Sequence, residues 1–180
     1  MLVLAACLIA VASPLVLWRW PAGLLTRKWT LPILVWVALA TQIVIIEFGA
    51  PDGWAPVLHV ATYVLAIAFM WLNRQVRGVL VVGAGAFLNG ITIALNGGVL
   101  PARPEAVEAA GIDVDHAFVN AGVVDDPVLP WLGDVFAWPA PMPLANTFSI
   151  GDILIVLGVG LAAWAGARRI GAPVSEPANA

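Results

Sequence analysis

Residues 78–101, GVLVVGAGAFLNGITIALNGGVLP, form an apolar run long enough to cross a bilayer as a helix, and its polar side chains keep to one side. Asn89, Thr92 and Asn96 follow an i, i+3, i+7 spacing, so a helix gathers them into one stripe. Ala86, Gly90 and Ala94 make a second stripe of small residues, where another helix can approach closely. The run stops at Asn96-Gly97-Gly98 and Pro101, residues that end helices and make turns.

Four further apolar runs accompany it. The expected spans are residues 1–17, 30–48, 55–72, 78–95 and 149–166, each near the ~20 residues that cross ~30 Å of hydrocarbon. Only 11% of the chain is charged, against about a quarter in soluble domains, and the mean hydropathy is +0.97. The runs are continuously apolar rather than alternating, which argues against a barrel. The first run lacks a positive n-region, so it reads as an uncleaved span rather than a signal peptide. The expected fold class is an all-α integral membrane protein, a five-helix transmembrane bundle in one domain over residues 1–170. One long outward-facing loop occupies residues 97–147, and residues 171–180 form a disordered cytoplasmic tail. Within the loop, Pro104 to Ala110 and Asp113 to Gly122 are each expected to form a helical turn or two. The proline-rich stretch 128–145 suits a re-entrant or interfacial loop.

Charge sets the expected orientation. Arg19, Arg27, Lys28, Arg74, Arg77, Arg168 and Arg169 fall in segments that five spans would place on one side, the cytoplasm. Most carboxylates fall on the other. The N-terminus is then outside and the C-terminus inside, in a multi-pass protein of a bacterial inner membrane. A single cysteine excludes an internal disulfide, and eight Lys and Arg in short clusters leave no basic patch for nucleic acid. No ligand spacing points to a metal, and no cofactor is expected.

With this topology, polar residues converge at the outer ends of the spans. Glu47 ends the second, His59 opens the third, and Asn96 ends the fourth, with Asn89 about 10 Å deeper. Asp152 opens the fifth. Ionisable groups within spans are costly and are binding or catalytic candidates for that reason. Each also has a structural reading. Ser149-x-x-Asp152 has the spacing of a capping box, Asn89 and Asn96 suit interhelical hydrogen bonds, and His59 and Glu47 suit each other.

Phe87-Leu88-Asn89-Gly90 leading to Asn96-Gly97-Gly98-Val99-Leu100-Pro101, with Phe148-Ser149-Ile150-Gly151-Asp152 and the intervening Leu129-Pro130-Trp131-Leu132-Gly133-Asp134, resembles a family of small bacterial polytopic membrane proteins. That family is known as a domain of unknown function, number five-three-one-seven. The resemblance covers nearly the whole chain and implies an inner-membrane protein without supplying an activity. A local likeness to lipoprotein signal peptidase surrounds Trp138-Pro139 and Ser149-Ile150-Gly151-Asp152. It implies that Asp152 stands where that family has its second catalytic aspartate. The first has no match, so Asp134 or Asp126 would have to complete the dyad.

The expected function is a non-enzymatic binding or accessory role, with an outward polar pocket built from Asn89, Asn96, Asp152, His59 and Glu47. The expected partners are the bilayer and an envelope lipid or another membrane protein. A membrane aspartic hydrolase using Asp152 and a small transporter are the alternatives.

Overall fold

The computed structural model describes residues 1–48, 53–112 and 121–171. Five apolar helices carry most of the chain: α1 (Leu2–Ala12), α3 (Ile33–Phe48), α4 (Trp54–Leu72), α5 (Val79–Leu95) and α7 (Ile150–Ala165). Two short ones, α2 (Ala22–Leu25) and α6 (Pro104–Ala109), lie in the connections. The long helices pack in the order α3, α4, α5, α7, α1, so α5 is in the middle.

The α5–α7 contact is the most intimate, and its cause is the absence of side chains. Gly78 has φ +88°, which suits glycine, and a Cβ there would fall on the Gly158 carbonyl oxygen. Further along, a Cβ on Gly85 would fall on the Gly151 carbonyl oxygen. The stripe through Gly90 faces the other neighbour, with Tyr63 Cβ of α4 3.1 Å and its ring 3.2 Å from where a Cβ would stand. Gly166 meets Gly23 of α2 rather than continuing the seam with α5.

The all-α five-helix transmembrane bundle is not what the chain forms. Among the described residues, three two-stranded sheets accompany the helices: β1 (Arg19–Trp20) with β6 (Arg168–Arg169), β2 (Leu100–Pro101) with β3 (Ala121–Gly122), and β4 (Phe136–Trp138) with β5 (Asn146–Phe148). Among the described residues, only α4, at 19 residues, is both long and apolar enough to cross a membrane. The other apolar helices have 10–17 residues; the 16 residues of α7 reach about 24 Å, short of a ~30 Å hydrocarbon layer. Runs three to five match α4, α5 and α7 to within a residue at each end, whereas backbone constraints cut into the first two. Ser13-Pro14 turns the end of the first run into a 3-10 helix, and Leu31 at φ +48° before Pro32 delays α3 to Ile33.

The described parts of the segment 97–147 are folded. Helix α6 forms with Pro at its first turn and Gly111 at φ +64° beyond its end. Residues 130–132 make a 3-10 turn, and β4 and β5 pair antiparallel with Ala137 opposite Thr147. The second expected helical turn and the tail fall largely or wholly on residues 113–120 and 172–180, outside the described residues.

The two ends of the helical row differ. At one, Arg19 pairs with Arg169 and Trp20 with Arg168, while the Asn73 side chain bonds both the N–H and the carbonyl of Thr30. At the other stands the folded cap of 97–148. Large apolar side chains point outward on every long helix, for example Ile9, Trp36, Val64, Phe87 and Leu157, all more than half exposed.

Candidate polar junction and apolar groove

The cap meets the helices at the start of α7. The sequence Ser149-Ile150-Gly151-Asp152 forms the capping box: the Asp152 N–H donates to Ser149 Oγ, and the Ser149 N–H donates to Asp152 Oδ2, both at 3.0 Å. Because Gly85 and Gly151 let α5 close on α7, Asn89 reaches across this cap. Its Nδ2 donates to Asp152 Oδ1 at 2.9 Å, and its Oδ1 accepts from Ser149 Oγ at 2.8 Å. Asn89 and Ser149 are fully buried. The ring leaves each partner satisfied, as a dry interior demands.

Asp134 stands beside this junction. The backbone around it is pinned to the end of β2 and the two residues after it: Asp134 N–H donates to the Pro101 carbonyl at 2.8 Å, and Arg103 N–H donates to the Asp134 carbonyl at 3.0 Å. Its side chain is buried, with Oδ2 accepting from the Thr147 hydroxyl at 3.0 Å and Oδ1 without a partner among the described residues. Burial pushes the Asp134 carboxyl up to about 7, the Asp152 carboxylate adds to the rise, and the Thr147 bond opposes it.

That shift has a testable sign. A carboxyl whose folded value lies above its ordinary one binds its proton more tightly in the folded state, so stability is full at acid pH and falls as pH rises toward about 7. One such proton gives a slope of at most ~1.4 kcal/mol per pH unit. Asp134→Asn is expected to melt higher than the wild type at pH 8 and to lose most of the slope between pH 5 and pH 7. A parallel slope in the variant contradicts the assignment.

The other candidate residues are dispersed. His59 Nδ1 bonds the Gly98 carbonyl at 2.7 Å, which ties α4 to the turn after α5. Asn96 clamps Val128 from both sides, donating to its carbonyl at 2.9 Å and accepting from its N–H at 2.8 Å. Asp126 lies exposed in a turn at φ +47°. Glu47 is in the last turn of α3, and its side chain is outside the described part. Among the described residues, no hydrogen bond joins Asp134 to Asp152, and no three His, Cys, Asp or Glu side chains come together to hold a metal.

A feature without a linear signature lies next to the junction. An open groove of about 450 Å³ runs between the first half of α1, the β4–β5 hairpin and the first half of α7. Leu2, Ala6 and Ile9 form one wall, Trp138, Leu144 and Phe148 another, and Ile153 and Val156 a third. The lining is almost wholly apolar; Asp152 is its only charged residue among those described, and both its oxygens are held by Asn89 and Ser149. Thr147, which ties the hairpin to Asp134, was likewise not marked by any motif.

A family model described as "Family of unknown function (DUF5317)" matches residues 24–164, most of the chain. An "Uncharacterized protein" of Thermotoga maritima is 30% identical over 108 residues, which span 59% of this chain and 62% of that relative. The match therefore covers less than two thirds of the relative's length. No solved structure matches the chain.

Proposed function

The chain belongs to the DUF5317 family of unknown function, and from that premise we propose that it is a bacterial inner-membrane protein that binds the apolar chain of an envelope lipid or a related amphiphile. The observation that carries this is the groove. Its volume of about 450 Å³ falls in the range of small-molecule sites, roughly 300–1,000 Å³, but its walls offer almost nothing polar to orient a compact polar ligand. A hydrocarbon chain is the occupant that such walls recognise.

Residence in a membrane is supported by three observations. Helix α4 is long and apolar enough to cross. The outward faces of α1, α3, α5 and α7 carry exposed Ile9, Trp36, Phe87 and Leu157, which suit a hydrocarbon surrounding better than water. The arginines of β1 and β6 lie together at the end opposite the cap. In this reading α4 crosses the apolar layer, the arginine end faces the cytoplasm, and the cap and groove face outward.

The test is photocrosslinking with a phospholipid carrying a diazirine on its acyl chain, in wild type and in Ala6→Phe, whose ring fills the groove. Labelling of groove residues in the wild type and its loss in the variant is the expected result.

A further inference from the structure

The arginine end poses an electrostatic problem that the described residues do not solve. Strands β1 and β6 place Arg19 directly opposite Arg169, and Trp20 opposite Arg168. Directly opposed residues share one face of a ladder with Cβ atoms about 5 Å apart, and like charges there destabilise the pairing. No ion pair to any of the three arginines occurs among the described residues. The Arg19 guanidinium is nevertheless held: its Nη2 donates to the Ala167 carbonyl at 3.0 Å, while its Nε is buried with no acceptor. A fixed cation with an unmet donor, paired with a second exposed cation, has the chemistry of an anion site.

The opposite face of the same ladder says which anion. Trp20 alternates with Arg19 along β1, and just before the strand the carbonyl of Trp18, a residue at φ +52°, accepts from the Ile170 N–H. Trp18, Trp20 and Ile170 are each about half exposed or more. One face therefore carries Arg19 and Arg169, while the other carries Trp20 opposite Arg168, with exposed Trp18 and Ile170 next to the ladder; cations beside exposed aromatic and apolar side chains sit where headgroups meet acyl chains. A free phosphate has no use for the second face.

We propose that Arg19 and Arg169 form a binding site for the headgroup of an anionic phospholipid, with Trp18, Trp20 and Ile170 set into the adjoining acyl boundary. The site is remote from the groove and does not depend on what the groove holds.

The experiment is thermal unfolding of the whole protein in maltoside micelles at low salt. The micelles are doped with phosphatidylglycerol or with phosphatidylcholine, and a third sample receives inorganic phosphate. Phosphatidylglycerol is expected to raise Tm by several degrees, phosphatidylcholine and phosphate by little. Arg169→Gln is expected to melt at or above wild type in phosphatidylcholine, because the repulsion is gone, and to lose most of the phosphatidylglycerol shift. Arg168→Gln, on the aromatic face, keeps most of it. The exposed Arg169 carries the test even where Arg19→Gln, which loses the bond to Ala167, fails to fold. Equal shifts with both lipids overturn the site, as does a full phosphatidylglycerol shift in Arg169→Gln. A shift reproduced by inorganic phosphate overturns the lipid assignment.

Discussion

Gly158→Leu is expected to leave no monodisperse folded protein. A Cβ at Gly158 would stand 2.6 Å from the Val82 backbone nitrogen and 2.7 Å from the Gly78 carbonyl oxygen. Both obstacles are main chain, so no rotamer relieves them, and α7 has to back away from α5 along much of its length. Overpacking a core by a methylene or two costs about 1–3 kcal/mol where side chains can yield. Here the yield has to come from two helices, and domains are stable by only about 5–15 kcal/mol. Leu161→Ala, on the outward face of the same helix, is the matched control and is expected to cost little. Size-exclusion profiles and melting in detergent read both; a Gly158→Leu protein with wild-type Tm contradicts the packing described for α5 and α7.

The second large effect is expected at Asn89. Replacing it with alanine removes the donor to Oδ1 of the half-buried Asp152 and the acceptor for Oγ of the fully buried Ser149 together. Each unpaired buried group costs about 1–3 kcal/mol, so a loss of roughly 3 kcal/mol is expected. Because Ser149 and Asp152 also cap α7, the loss is coupled: Asn89→Ala and Ser149→Ala together are expected to cost clearly less than the sum of the two alone. Strict additivity, or a change under about 0.5 kcal/mol in Asn89→Ala, contradicts a shared network.

The start of α7 was legible before any coordinates, because Ser149-x-x-Asp152 needs only the local spacing of a capping box. The polar stripe was half legible. Asn89, Thr92 and Asn96 do share one helix, yet they serve three partners: Asn89 the cap of α7, Thr92 the Leu88 carbonyl of its own helix, and Asn96 the Val128 backbone. Spacing reports a common face and cannot report which element arrives at each level of it. The close approach of helices was also foreseeable from small residues, but the stripe through Gly90 meets α4, and the tighter seam with α7 runs through Gly78 and Gly85.

The first two long helices are shorter than their apolar runs for a different reason, while α4, α5 and α7 match theirs to within a residue at each end. Hydropathy continues through Ser13-Pro14 and Leu31-Pro32, where the backbone does not. The two- and three-residue strands are too short to show alternation at all, so the all-α expectation had no local signal against it. Asp134 was one acidic residue among several in an outward segment; its burial comes from pairing with residues 101–103 and Thr147, contacts that no linear pattern encodes. The groove is the extreme case, since its walls come from both ends of the chain.

Binding of a hydrocarbon chain by that groove is tested most directly by where a photoactivatable acyl chain attaches. Mass spectrometry of the crosslinked protein is expected to find label on the first half of α1, on Trp138 to Phe148 and on the first half of α7, and to find it displaced by Ala6→Phe. Label spread over the outward faces of α3 and α4, unchanged in that variant, means that lipid only surrounds the protein and contradicts the proposal.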